Sequence, residues 1–315
     1  MFDLLKARLR QGHQTTKFPR ERAQLPARFR GRPVLDESKC REGCRACADA
    51  CPTQAIATEP LSIDLGACLF CRVCQEACPE GAIVYTPDHR LAARSRSDLV
   101  VSGAEARLAT ALDTEMRRLF NRSLKLRQVS AGDCSGCAAE LVAMGNVVFD
   151  LGRFGIQFVA SPRHADGIVV TGPVTTNMEF ALRETYAAVP EPKIVIAVGA
   201  CAISGGPFAG ADASRGGVPK DIPVDLYIPG CPPHPLTILD GLLRLLGRID
   251  GATDGRLGQA AGRYGEELRA EAERNTILRR FGRLSRTAIR QAAAATRPGR
   301  GRSKQPSERL PVSDF

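Results

Sequence analysis

The chain has 315 residues with 44 Lys/Arg against 34 Asp/Glu, a formal net charge of +10, 12 cysteines and no tryptophan. That length accommodates two domains and a sizeable core. Aromatics make up only 5% and are not interleaved with the arginine runs, which argues against a nucleic-acid-binding module. The charge is uneven: residues 1–39 carry 10 basic against 4 acidic side chains and residues 251–315 carry 14 against 7, which leaves residues 40–250 mildly acidic at 20 against 23.

In chain order, residues 1–39 form a basic lead-in. Phe2, Leu4, Leu5 and Leu9 alternate with Lys6, Arg8 and Arg10, which predicts a short amphipathic helix for packing or for a lipid surface. The stretch MFDLLKARLR lacks the apolar region and cleavage site of an export signal, and the longest apolar run, Ile194 to Ile203, is too short to cross a bilayer. Thiol-rich loops without an export signal are expected in a reducing cytoplasm.

Residues 40–95 hold an internal duplication. Cys44, Cys47 and Cys51 recur as Cys71, Cys74 and Cys78 at a constant offset of 27, each copy ending in Cys-Pro at Pro52 and Pro79. The second copy is C-x2-C-x2-C-x3-C-P, the bacterial ferredoxin spacing, in which three cysteines hold one [4Fe–4S] cube and the fourth ligates the other. Crossed in that way, Cys40, Cys44, Cys47 and Cys78 would hold one cluster, and Cys68, Cys71, Cys74 and Cys51 a second. Cys40 and Cys44 are separated by three residues where the usual run has two, and Gly43 is placed to absorb the extra one. Structural zinc is the competing reading, but zinc favours separated CxxC pairs over triplets ending in Cys-Pro. Strand-like segments follow each run, at Ile56 and at Ala82 to Tyr85, and a polar linker follows with a domain boundary near 95.

Residues 104–250 read as alternating helices and strands. Leu108, Leu112, Met116 and Leu119 predict a helix over 104–120, and strands are predicted at 124–130, 156–160, 167–171, 193–198 and 224–228. A helix over 175–189 separates two of them, and DCSGCAAELVAMGN opens another on a glycine-bearing loop. Such alternation predicts an α/β fold with a parallel, flavodoxin-like sheet, preceded by the small α+β two-cluster ferredoxin domain. Cys134, Cys137, Cys201 and Cys231 all follow strand ends, where open α/β sheets bind ligands, and would make a third [4Fe–4S] site; four buried structural cysteines are the alternative. Glu140 lies on the helix of Cys137, either as a group assisting at that site or as a carboxylate answering the helix dipole. His164 and His234 read as loop and turn residues. Residues 251–315 form a basic tail, first helical in pattern and then compositionally disordered.

Two resemblances accompany these readings. Phe18-Pro19, FRGRP at Phe29 to Pro33 and the two cysteine runs resemble the ferredoxin-type subunit of formate hydrogenlyase and related hydrogenases, over about residues 1–100. DCSGCAAE, SPRHADGIVVTGPVT, VGACAISGG and VDLYIPGCPPHP resemble the small subunit of membrane-bound energy-converting [NiFe] hydrogenases. The same fingerprints mark the homologous cluster-bearing 20 kDa subunit of NADH:quinone oxidoreductase. The chain is thus similar to a fusion of two subunits. The resemblance implies an oxidoreductase subunit with three [4Fe–4S] clusters, in which Cys134, Cys137, Cys201 and Cys231 ligate the one nearest a partner's catalytic centre. It also implies a large subunit carrying nickel and iron or its quinone-reducing homologue, further hydrophilic and integral membrane subunits, and a formate dehydrogenase or other electron donor. The expected location is peripheral, on the inner face of the cell membrane. The CxxC of Cys134 and Cys137 is the hydrogenase pattern, where the quinone-reducing relatives have adjacent cysteines.

Overall fold

The computed structural model describes residues 2–21, 23, 25–26, 28–103 and 107–249; the charged helical pattern and disordered tail read over 251–315 lie outside them. The chain opens with helix α1 (Phe2–Gln11), none of whose residues is buried. Strand β1 (Pro33–Leu35), helix α2 (Ala46–Asp49), strands β2 (Ile56–Thr58) and β3 (Leu61–Asp64), helix α3 (Val73–Ala77) and strand β4 (Ile83–Tyr85) follow. The offset of 27 residues carries β2 onto β4, so the duplication in sequence is a duplication of structure. Pairing crosses between the copies: β1 runs antiparallel to β4 with Pro33 opposite Tyr85, and β2 to β3 with Ile56 opposite Ile63. Strand β5 (Val100–Val101) adds to β3 with Val101 opposite Ile63, so chain beyond residue 95 still contributes to this small sheet. Leu35, Leu61, Ile63, Ile83, Tyr85 and Leu99 fill the space between.

Helix α4 spans Thr114–Phe120 and is shorter than the helical pattern over 104–120 suggests. Asp113 explains the late start: its carboxylate accepts from Met116 N at 2.9 Å, an N-cap that begins the helix there. Leu112 is buried, and its peptide N–H donates to Leu245 O, so its apolar spacing reflects packing of extended chain.

The remaining elements are β6 (Leu124–Ser130), α5 (Gly136–Ala143), β7 (Ile156–Phe158), β8 (Gly167–Thr171), α6 (Thr176–Ala188), β9 (Ile194–Val198), α7 (Ala200–Ser204), β10 (Leu226–Ile228) and α8 (Pro235–Leu245). The five strands form one sheet in the order β10-β9-β8-β6-β7, all parallel. Numbered within the sheet and read from its β7 edge this is 2-1-3-4-5, the flavodoxin-like order. Every residue of β8 and β9 is buried, as expected of central parallel strands covered on both faces, and the two faces carry separate apolar clusters. Helix α8 is buried along its whole length, and the ion pair of Arg244 with Asp240, at 2.8 Å, is internal to the helix.

The segment joining the cysteine-rich part to the sheet is structured. Asp88, His89, Leu91, Ala92 and Ala93 are buried, and Ala93 forms a two-way bridge with Tyr227 on β10 at 3.0 and 2.9 Å. Asp88 accepts Arg90 through both carboxylate oxygens, at 2.8 and 3.1 Å, and faces the fully buried Arg32 at 3.4 Å. Burial pushes the Asp88 carboxyl up, but the Arg90 hydrogen bonds and the charges of Arg90 and Arg32 outweigh it and hold the carboxyl below its ordinary value.

Because the unfolded carboxyl titrates at about 3.9, the stability Asp88 contributes is fully present above that pH and is lost as the pH falls through the lower folded value. Asp88→Asn leaves Arg32 buried beside a neutral group. It is expected to cost about 3 kcal/mol in denaturant unfolding of the full chain near neutral pH, with the difference from wild type shrinking in acid.

Candidate metal centres

Cys40, Cys44, Cys47 and Cys78 line one cavity of about 450 Å³, together with Glu37, Glu59, Gly43 and Thr58. The first three come from the loop before α2 and from α2 itself, and Cys78 arrives from the end of α3 in the other copy. Cys40 is exposed, and Gly43 turns the widened loop at φ +71 with open space where a Cβ would stand. Cys51, Cys68, Cys71 and Cys74 line a second, smaller cavity walled by Ile56, Ile63, Leu69 and Tyr85. Here too one thiol, Cys51, is contributed by the other copy.

Backbone amides point at these sulfurs in a repeating way. Ala55 N donates to Cys51 Sγ and Ala82 N to Cys78 Sγ, both at 3.3 Å, and the two alanines are related by the same offset of 27. The Cys-Pro-x-x-Ala sequence thus encodes a turn that returns a peptide N–H to its own cysteine. Phe70 N donates to Cys68 Sγ at 3.3 Å, and the buried Tyr85 hydroxyl lies 3.3 Å from Cys68 Sγ and 3.7 Å from Cys74 Sγ. Burial pushes the Cys68 thiol up to about 12, opposed by the Tyr85 and Phe70 hydrogen bonds.

The third group stands at the carboxyl edge of the sheet. Cys134 and Cys137 follow β6, Cys201 lies in α7 after β9, and Cys231 follows β10. Asp133 shapes the first loop, its carboxylate accepting from Ser135 N at 3.1 Å and from the Thr171 hydroxyl. The other two loops are tied together by Gly199 N to Ile228 O at 2.8 Å and Ala200 N to Gly230 O at 2.9 Å, which sets Cys201 beside Cys231. Gly199 has φ +90, and a Cβ there would stand under 3.0 Å from Cys137 Sγ. Burial first, then the charges of Cys201, Cys231 and Cys134, push the Cys137 thiol up to about 12. Burial, then Cys231 and Cys134, push Cys201 up to about 11.

The third group adjoins the second group's loop, since Leu69, Phe70 and Cys231 line one cavity. Arg30, which the cysteine pattern does not point to, bridges them: its Nη1 donates to Phe70 O at 3.2 Å, and Arg30, Phe70, Glu140, Cys231 and His234 line one cavity. Glu140 is half-buried there, and burial raises its carboxyl. His234 is the N-cap of α8, its Nδ1 accepting from Leu236 N at 3.1 Å, and His164 lies exposed in a short 3-10 turn. Ser204 Oγ donates to Gly66 O at 3.0 Å, seating α7 directly on the loop that leads to Cys68.

Among the described residues, no three His, Cys, Asp or Glu side chains are gathered tightly enough to hold one metal ion between them; the first two quartets line cavities instead. Four soft thiols per group, amides aimed at sulfur and a glycine where a Cβ would strike a ligand fit iron–sulfur clusters. Among the described residues, no helix is long and apolar enough to cross a membrane.

Comparison with known proteins agrees. Residues 134–245 match the family described as NADH ubiquinone oxidoreductase, 20 Kd subunit, and residues 32–79 match the 4Fe-4S dicluster domain. The B subunit of an NADH-quinone oxidoreductase from Heliobacterium modesticaldum is 46% identical over 43% of this chain and 79% of its own length. A probable membrane-bound hydrogenase subunit of Pyrococcus furiosus is 39% identical over 43% and 81%, and formate hydrogenlyase subunit 7 of Escherichia coli is 41% identical over 44% and 54%.

Gly199→Ala is expected to displace Cys137 and remove about four irons per chain, the content of one cube, while the eight cysteines of residues 40–78 stay loaded. Iron and acid-labile sulfide analysis beside wild type measures this, and unchanged contents would refute it.

Proposed function

The chain belongs to the NADH ubiquinone oxidoreductase 20 kDa subunit family, and on that premise we propose that it conducts electrons through three [4Fe–4S] clusters to or from the active site of a partner protein. The first cluster is assigned to Cys40, Cys44, Cys47 and Cys78, the second to Cys51, Cys68, Cys71 and Cys74, and the third to Cys134, Cys137, Cys201 and Cys231. The observation that carries this reading is the cavity that Leu69 and Phe70, between Cys68 and Cys71, share with Cys231, which supports reading the three groups as one series within a single chain. When bound, each cube supplies one-electron storage over a potential range of about −700 to +450 mV. The chain's own residues do the rest. The thiols fix position, the amides of Ala55, Phe70 and Ala82 donate to sulfur, and the apolar walls around Cys68 exclude water.

The CxxC spacing of Cys134 and Cys137 favours a [NiFe] hydrogenase complex of the formate hydrogenlyase or hydrogenase-4 type, with the nickel-bearing large subunit on the far side of the third cluster. Integral membrane subunits would hold the chain peripherally on the inner face of the membrane. The 46% identity to a subunit of NADH-quinone oxidoreductase supports a second reading, the equivalent place in a quinone-reducing complex. Nickel content and hydrogen uptake or evolution of the complex, purified anaerobically from membranes through a tag on this chain, separate the two. Nickel with hydrogen activity is the expected result, and quinone reduction without nickel selects the second reading. Cys201→Ala is expected to abolish the third cluster's EPR signal while both ferredoxin-type signals persist; an unchanged spectrum would overturn the ligand assignment.

A further inference from the structure

Among the positions at which the two copies of the duplicated unit differ, two matter around the metal sites. Residue 43 of the first copy corresponds to residue 70 of the second, and residue 58 to residue 85. Gly43 and Phe70 occupy the same left-handed backbone position, at φ +71 and +54. Such a conformation suits glycine and is adopted by phenylalanine only under restraint. Phe70 is buried and packs edge-on against Tyr85, with ring centroids 6.1 Å apart. Thr58, the counterpart of Tyr85, lines the open cavity. Tyr85, backed by Phe70, therefore walls the second site with an aromatic ring beside the buried Cys68 and Cys74, whereas Gly43 and Thr58 leave the first open to solvent.

Closure has an electrostatic cost. Reducing a cluster adds negative charge, and charge added in an apolar, water-poor surround is disfavoured, so enclosure alone lowers the potential of the second site relative to the first. Tyr85, which walls the second site, carries a donor. It is 2% exposed, its hydroxyl lies within reach of two of the four sulfurs, and its backbone is held by Tyr85 N to Gln75 Oε1 at 3.0 Å. A hydrogen bond to sulfur is stronger the more negative the sulfur, so it stabilises the reduced state.

We propose that Tyr85 is a positioning residue for electron flow: its hydroxyl, donated to Cys68 and Cys74, holds up the reduction potential of the enclosed second cluster, so that this middle station remains reducible beside the exposed first one. The inference rests on the assignment of Cys51, Cys68, Cys71 and Cys74 to one [4Fe–4S] cluster. The covalent chemistry is unchanged by it: one electron enters or leaves, and the hydroxyl proton stays on Tyr85.

The test is Tyr85→Phe in the full-length, cluster-loaded chain, followed by iron and sulfide analysis and an EPR-monitored redox titration, with the second cluster's signal identified as the one that Cys68→Ser removes. Loading should equal wild type. The electron distribution between the two ferredoxin-type clusters should move about tenfold or more towards the first, equivalent to a fall of about 59 mV in the second cluster's potential for a one-electron couple, while the first is unchanged. An unchanged second potential, an equal shift of both clusters, or loss of iron from the variant would each overturn the proposal; in the last case the hydroxyl builds the site and does not tune it. Absence of cubane signals from the wild-type chain would instead overturn the cluster assignment itself.

Discussion

The arrangement depends on Cys51 and Cys78 each reaching into the other copy's site. A cysteine at the end of one run completes the quartet begun by the other, and the antiparallel pairings β1 with β4 and β2 with β3 hold the two copies in the register that the exchange needs. Neither copy lines its cavity alone, and the two short sheets with the apolar cluster between them hold the eight thiols together. The repeated turn that returns Ala55 N to Cys51 and Ala82 N to Cys78 belongs to the same constraint, since it fixes the direction of each crossing sulfur.

The parallel sheet extends this object at one point. Helix α7 carries Cys201 on its first turn and Ser204 on its last, so the element that supplies a thiol to the third group also grips Gly66 beside Cys68. Gly66 is required there: a Cβ would meet Ile203 and Arg96, and Arg96 is already engaged in an ion pair with Asp64. Tight packing between the ferredoxin-type part and the sheet thus accompanies the cavity that Phe70 shares with Cys231.

Much of this was legible in the residues. The 27-residue offset announced the duplicated unit, and β6 and β8 lie where the apolar runs over 124–130 and 167–171 predict them. The positions of Cys134, Cys201 and Cys231 after strands pointed to the carboxyl edge of the sheet. Less visible were contributions that depend on long-range packing. Arg30 and Asp88 look like ordinary charged residues in a basic, polar stretch, yet one bridges two thiol groups and the other holds buried Arg32. The apolar spacing at Leu108 and Leu112 imitated a helix because burial of extended chain imposes the same preference for leucine. Tyr85 was within a predicted strand, but its role emerges only when the two copies are laid over each other, a comparison the offset permits and the spacing of the cysteines alone does not suggest.

The bridge between Ala93 and Tyr227 has a consequence for assembly. A ferredoxin and its acceptor made as separate polypeptides must find one another at cellular concentrations and can be produced in unequal amounts. Here the connecting segment is short and already docked on the sheet's edge strand, so the encounter is intramolecular, at an effective concentration on the order of millimolar or above. Stoichiometry is then set at translation, one cysteine-rich part for each sheet, and part of the sheet edge at β10 is met from within by Ala93.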